Sequence, residues 1–139
     1  MIPLIIDTSV ALKWLNQDNE KNAEEADKIL TQARSGQIEL LAPELIKYEI
    51  ANALLFSKKI SKKDIDYLLN IFYMLPITFI NDSPDLAKEA YNLAADLHIT
   101  YYDASFMSLA KQYDGVLVTE NVKHQGQSAN VKVKSLKDY

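Results

Sequence analysis

Residues 4–12 read LIIDTSVAL and join an apolar run to the start of a helix. Leu4 to Ile6 predicts a short buried strand, and Asp7-Thr8-Ser9 are residue types that favour a helix N-terminus. The apolar run Val10 to Leu15 continues as the helix. A strand that leads directly into a helix is typical of α/β proteins. The stretch therefore predicts an α/β fold with an acid at the carboxyl end of the first strand.

The rest of the chain continues this alternation of strands and helices. Further strands are expected at Leu40–Ala42, Ile77–Ile80, Val116–Thr119 and Val131–Val133, the last as an edge strand. Helices are expected from Ala23 until Gly36, from Glu44 to about Ser57 with Pro43 in its first turn, at Lys62–Tyr73, at Pro84–Leu97 and from Asp103 to Tyr113. The pattern predicts three α/β/α layers around a mostly parallel sheet, and we expect residues 1–139 to form a single domain.

Composition narrows the class of protein. The 139 residues are 48% hydrophobic and 24% charged, which is typical of a globular domain. The chain has no cysteine, which excludes thiolate metal sites and is compatible with a protein of the reducing cytosol. The apolar start is too short for a signal peptide, and we therefore expect a cytoplasmic protein. The net charge of −4 argues against indiscriminate nucleic-acid binding.

Acidic or amide residues occur where apolar runs meet helices or loops: Asp7, Glu49, Asp103 and the Glu120-Asn121 pair. Carboxylate oxygens are preferred ligands of Mg²⁺ and Mn²⁺, and such ions can activate water against a phosphodiester. Each acid also has a purely structural interpretation. Asp7 can cap a helix, Glu49 can face solvent, and Asp103 can complement the positive end of its helix.

Four strings carry a resemblance to a known family: LIIDTSVAL at 4–12, LIKYEIANALL at 45–55, TYYDASFMSLA at 100–110 and VLVTEN at 116–121. Together they resemble the four motifs of the PIN-domain family, particularly the VapC toxin ribonucleases of VapBC toxin-antitoxin systems. The resemblance implies a PIN-like fold and an endoribonuclease that uses Mg²⁺ or Mn²⁺. It places Asp7, Glu49 and Asp103 on the family's acids, Thr8 or Ser9 as a polar helper, and Thr119 as a hydroxyl at the last motif.

The last motif departs from the family pattern, which is commonly Thr, any residue, Asp. Asn121 occupies the acidic position, and Glu120 lies one residue early. An amide oxygen can bind a cation but brings no full charge. We therefore expect one ion on Asp7 and Asp103, with a second recruited mainly by the RNA phosphate. Glu49 is the candidate that orients the attacking water.

The resemblance also implies partners: RNA, a small VapB-type antitoxin and a second copy of the chain in a homodimer. A cluster of lysines is a candidate guide for RNA phosphates. It consists of Lys58, Lys59, Lys62 and Lys63.

Two other functions remain open from the sequence. One is a different Mg²⁺-dependent phosphotransfer domain, receiver-like or phosphohydrolase-like, although Ser9 stands where the phosphohydrolase needs a second Asp. The other is a catalytically weak or inactive interaction module on the same fold. The histidines, His98 and His124, lack zinc-motif spacing and are assigned surface or cap roles.

Overall fold

The computed structural model describes residues 1–15, 21–125 and 130–139, without the side chains of residues 124 and 125. His124, assigned above to a surface or cap role, therefore lies outside the described side chains. Strands occur at β1 Ile2–Ile6, β2 Ile38–Pro43, β3 Ile77–Ile80, β4 Val116–Thr119 and β5 Lys132–Ser135. Helices occur at α1 Thr8–Leu15, α2 Ala23–Arg34, α3 Leu45–Leu55, α4 Lys62–Met74, α5 Pro84–Leu97, α6 Tyr101–Gln112 and α7 Val122–Gln125, and a 3₁₀ turn spans Leu136–Asp138.

The five strands that the structure describes form one sheet in the order β3-β2-β1-β4-β5, and every neighbouring pair is parallel. The predicted parallel α/β sheet is thus confirmed, with β5 at an edge. The chain moves from β1 outward to β3, then returns across the sheet to β4 on the other side of β1. Strand order therefore reverses between β1 and β4, and ligands of open α/β sheets bind in the crevice at such a point.

Helices cover both faces of the sheet. Right-handed crossovers place the helices between β1 and β3 on one face and those between β3 and β4 on the other. The contacts agree, because α1 packs against α2, α3 and α4, whereas α6 packs against α5 and across β1, β2 and β4. The three-layer α/β/α prediction is confirmed by this arrangement.

The core lies between the sheet and these helices. Ile5 and Ile6 of β1 are fully buried, as are Ile46 and Ile50 of α3. Trp14 at the end of α1 is also buried, and its indole Nε1 donates a hydrogen bond of 2.8 Å to the carbonyl of Ala26. This bond fastens α1 to α2, so the helix that follows Asp7 has a fixed direction.

The prediction that Pro43 begins a helix is wrong. Pro43 is the last residue of β2, where it is paired with Ile80 of β3, and α3 begins at Leu45. The N–H of Glu44 also donates to the Ile80 carbonyl at 3.1 Å. Pairing with β3 thus continues the strand to Pro43, which lacks an N–H and sits where the ladder ends. Among the described residues, no helix has both the length and the apolar character needed to cross a membrane.

Candidate metal centre

Two polar residues lie side by side where the strand order reverses. Asp7 directly follows β1, and Thr119 is the last residue of β4. The strands are in register at Ile6 and Val118, and the Asp7 N–H donates to the Val118 carbonyl at 3.4 Å. The sequence predicted both residues at strand ends, and the topology brings those ends together in the crevice.

Asp7 is a buried carboxylate surrounded by hydrogen-bond donors. It is only 7% exposed, and its Oδ1 accepts bonds from Ser9 Oγ at 2.5 Å and from the Val10 N–H at 3.3 Å. Its Oδ2 accepts a bond from Thr119 Oγ1. Burial raises the pKa of Asp7, and the bonds from Ser9, Thr119 and the backbone oppose that shift. Asp7 therefore caps α1 and also places a buried carboxyl group at the crevice.

The two hydroxyls on Asp7 are themselves held by the turn after β4. The N–H of Glu120 donates to Ser9 Oγ at 3.2 Å, and the N–H of Asn121 donates to Thr119 Oγ1 at 2.8 Å. Thr119 is fully buried, so little water competes for its hydroxyl. The turn is thus linked to Oδ1 of Asp7 through the Ser9 hydroxyl and to Oδ2 through the Thr119 hydroxyl.

Glu49 lies on α3 and is half-buried. Thr8, the first residue of α1, donates its hydroxyl to Glu49 Oε1 at 2.6 Å. Burial raises the pKa of Glu49, and the negative charges of Asp103 and Asp7 raise it further. The charges of the other two predicted acids are therefore felt at Glu49, although the three come from separate parts of the chain.

Asp103 lies in the first turn of α6 and is half-buried. Its N–H is capped by Thr100 Oγ1 at 3.0 Å, so the carboxylate sits at the positive end of the helix. Phe106 and Ala110 on its face are buried, but Tyr113 is 39% exposed. The predicted apolar stripe beneath Asp103 thus ends one turn early.

Within residues 1–15, 21–125 and 130–139, no three acids or histidines converge closely enough to enclose an ion. Carboxylates without a counter-charge repel, and hard cations often bind acids partly through water. The donors at the crevice are carboxylate and hydroxyl oxygens, which are suited to Mg²⁺ or Mn²⁺. The residues present therefore fit such an ion.

Glu120 has a different environment from the three acids. Its Oε1 forms an ion pair with Lys13 Nζ at 3.1 Å, and Asn22 Nδ2 lies 3.4 Å from its Oε2. Asn121 is exposed and enters the network through its backbone. Sequence reasoning missed Lys13, a buried residue of α1. The sequence feature that could have indicated it is a single lysine within the otherwise apolar run VALKWL at residues 10–15.

The four predicted RNA-guiding lysines are exposed around the connection between α3 and α4: Lys58, Lys59, Lys62 and Lys63. Two residues of that connection, Ser57 and Ile60, line a cavity of about 250 Å³ together with Ser9 and Glu120. The lysines are therefore neighbours in sequence of residues that share a cavity with Ser9, whose hydroxyl donates to Asp7. His98 has φ 56° and ends α5, which confirms its predicted cap role.

These observations define a parallel α/β protein with an oxygen-rich acidic centre at its strand ends. The chain belongs to the PIN domain family, whose model matches residues 4–126. No curated protein matches the sequence closely enough to be informative.

Solved structures of low sequence identity share this fold. VapBC2 from Rickettsia felis, bound to a promoter DNA fragment, superposes with a TM-score of 0.75 at 17% identity over 96% of this chain and 98% of the other. PAE2754 from Pyrobaculum aerophilum gives 0.72 at 20% identity over 99% and 91%. VapC20 from Mycobacterium tuberculosis, a toxin that cleaves the sarcin-ricin loop, gives 0.66 at 10% identity over 93% and 98%.

The strand order also decides between alternatives left open by the sequence. Receiver domains have the order 2-1-3-4-5, whereas this sheet has 3-2-1-4-5. The receiver-like interpretation is therefore excluded by topology. Family membership likewise favours a PIN-type site over a phosphohydrolase-like one.

Proposed function

We propose that this protein is a Mg²⁺- or Mn²⁺-dependent endoribonuclease of the VapC type, the toxin component of a type II toxin-antitoxin system. The observation that carries the proposal is the position of Asp7, a buried carboxylate at the point where strand order reverses, with Ser9 and Thr119 bonded to its two oxygens. The negative charges of Asp103 and Asp7 also raise the pKa of Glu49, and acids that repel one another in this way favour binding of a divalent cation. Its place at the strand ends of a PIN fold supports a nuclease.

Each residue has a role in this proposal. Asp7 and Asp103 hold the cation, and the Asn121 amide stands at the usual fourth acidic position. Glu49, fixed by Thr8, orients water and accepts its proton, for which a raised pKa is suited. Ser9 and Thr119 keep Asp7 in position through their hydroxyls. When bound, the ion supplies positive charge for the phosphate and lowers the pKa of water.

The partners follow from the resemblance to VapBC proteins. We propose RNA as substrate, a VapB-type antitoxin as inhibitor and a homodimer as the assembled form. Support comes from the fold, which is shared with a toxin-antitoxin complex from Klebsiella pneumoniae at a TM-score of 0.69 and 16% identity, over 96% of this chain and 97% of that one. The exposed lysines between α3 and α4 are proposed to guide the RNA backbone toward the crevice.

The test is incubation of total RNA with the protein in Mg²⁺, in Mn²⁺ or in chelator. We expect cleavage with either metal and none with chelator, and we expect Asp7→Asn and Asp103→Asn to abolish it while leaving the far-UV spectrum unchanged. Asp114→Asn is the matched control, because Asp114 is exposed and paired with Lys132. Metal-dependent cleavage that persists in both site variants would overturn the assignment.

Two observations favour a second candidate, an interaction module with weak or no catalysis. Asn121 contributes no charge, and no three acids of the described residues enclose an ion. That module would bind an antitoxin or RNA without cleaving it in any metal. The same RNA assay separates the two functions, since binding without metal-dependent products supports only the module.

A further inference from the structure

Lys13 is a buried cation whose position suggests more than a structural role. It lies on α1 with its side chain 8% exposed, and its Nζ is 3.1 Å from Oε1 of Glu120, whose side chain is 31% exposed. Removing an ammonium group from water is unfavourable unless it is paired. The pair therefore holds Glu120, and the turn that contains it, against α1.

The turn in question forms the outer support of Asp7. Glu120 and Asn121 are consecutive, and their N–H groups donate to Ser9 Oγ and to Thr119 Oγ1 at 3.2 and 2.8 Å. Those hydroxyls then donate to different oxygens of Asp7, Oδ1 and Oδ2. Two parallel chains of hydrogen bonds thus run from one turn to one carboxylate.

The direction of these bonds depends on the turn. A hydroxyl has one proton and two lone pairs, so it can donate only one bond. Because each hydroxyl oxygen accepts a backbone N–H from the turn, its own proton is directed toward Asp7. If the turn moved away, the hydroxyls of Ser9 and Thr119 would be free to rotate, and the Asp7 carboxylate would no longer be held in one orientation.

We propose that Lys13 and Glu120 are a positioning pair that fixes the turn after β4 and, through Ser9 and Thr119, the orientation of the Asp7 carboxylate. The inference rests on the proposed function insofar as Asp7 is taken to bind the cation. Glu120 then serves as the anchor of the turn rather than as a metal ligand. Groups that orient a ligand commonly change metal affinity by about 10- to 100-fold when removed.

The test compares Lys13→Met, Lys13→Arg and the control Lys132→Met in the full-length protein. Lys132 also forms an ion pair, with Asp114 at 2.9 Å, but it lies at the end of β5 that is far from Thr119. The first measurement is amide hydrogen exchange by NMR without metal, read at residues 120 and 121 and, for comparison, at Leu117. The second is Mn²⁺ affinity measured by electron paramagnetic resonance.

We expect Lys13→Met to speed exchange at residues 120 and 121 by about tenfold, to leave Leu117 unchanged, and to weaken Mn²⁺ binding by about tenfold. Lys13→Arg should keep the exchange rates and the Mn²⁺ affinity at their wild-type values, and Lys132→Met should change neither. Unchanged exchange at the two turn amides, or equal acceleration at Leu117, would overturn the proposal, because a merely structural pair gives those results. If Lys13→Met does not fold, Glu120→Gln at the partly exposed end of the pair is read in the same way.

The two arms also separate this inference from the nuclease assignment. Faster exchange at the turn in a protein whose wild type binds no Mn²⁺ would support the positioning pair and contradict the metal site. Normal Mn²⁺ binding and RNA cleavage with unchanged exchange in Lys13→Met would leave the nuclease intact and remove the positioning role.

Discussion

Thr119→Val removes one buried hydroxyl from the candidate site without changing side-chain volume. In the wild type that hydroxyl donates to Asp7 Oδ2 and accepts the N–H of Asn121. A hydrogen bond to a charged group contributes roughly 1.5–3 kcal/mol. Asn121 is exposed, so water replaces its lost partner at a cost of about 0.5 kcal/mol. With Asp7 ionised, we therefore expect a loss of about 2–3.5 kcal/mol in the free energy of unfolding.

The size of this loss should depend on pH, with a definite sign. Burial raises the pKa of Asp7 above its ordinary value of 3.8, so the folded protein loses stability as pH rises through the folded pKa. The Thr119 hydroxyl lowers that pKa, and its removal raises the pKa further. Below pH 4 the carboxyl is protonated and the lost bond is a neutral one, worth about 1 kcal/mol. The destabilisation should thus increase as pH rises from 4 through the folded pKa of Asp7.

Urea unfolding in chelator at pH 4 and pH 7 measures this difference. Thr78→Val is the matched control, because Thr78 lies exposed on β3, and it should change stability by less than about 0.5 kcal/mol. An equal loss for Thr119→Val at pH 4 and pH 7 would show that its hydroxyl does not support a charged Asp7. A loss below about 0.5 kcal/mol at both pH values would refute the buried bond itself.

Two further predictions concern the other site groups. In chelator, Glu49→Gln should stabilise the protein by less than about 1 kcal/mol at pH 8, since it removes a half-exposed charge that is disfavoured by burial and by repulsion from Asp103 and Asp7. It should have no effect below pH 4, where Glu49 is neutral. Destabilisation of the variant at pH 8, measured by urea unfolding, would contradict this account of Glu49. Replacing Lys58 and Lys59 together by Ala should reduce the slope of log affinity for single-stranded RNA against log salt concentration by up to about 1.4. Mn²⁺ affinity should be unchanged. A slope equal to that of the wild type would exclude phosphate contacts by these lysines.

The elements best predicted from sequence are those with strong local signals. The bounds of β3, α5 and β4 match the prediction. For α5 the reason is visible, because Ser83 Oγ accepts the N–H of Leu86 at 3.1 Å and Pro84 is the first helical residue. Pro43 shows the opposite case. Its local preference for a helix start is overridden by pairing with β3, which is a tertiary contact.

The candidate site was predictable in part for the same reason. Strand-end positions follow from local pattern, so Asp7 and Thr119 could be placed in advance, and parallel topology then brings them together. The bond from Thr8 to Glu49 joins residues 41 apart, and nothing local selects that pairing. The ion pair of Lys13 with Glu120 likewise depends on which face of α1 meets the turn after β4. Such contacts are properties of packing and not of local sequence.

The most direct measurement of the metal site is a crystal soaked in Mn²⁺, with anomalous peaks located at the manganese edge. We predict one strong peak within bonding distance of Asp7 and Asp103, either directly or through one water, and no second peak of equal strength in the absence of RNA. Anomalous density that is absent from this crevice at saturating Mn²⁺, or that lies only at surface acids elsewhere, would contradict a shared cation site built from Asp7, Glu49 and Asp103.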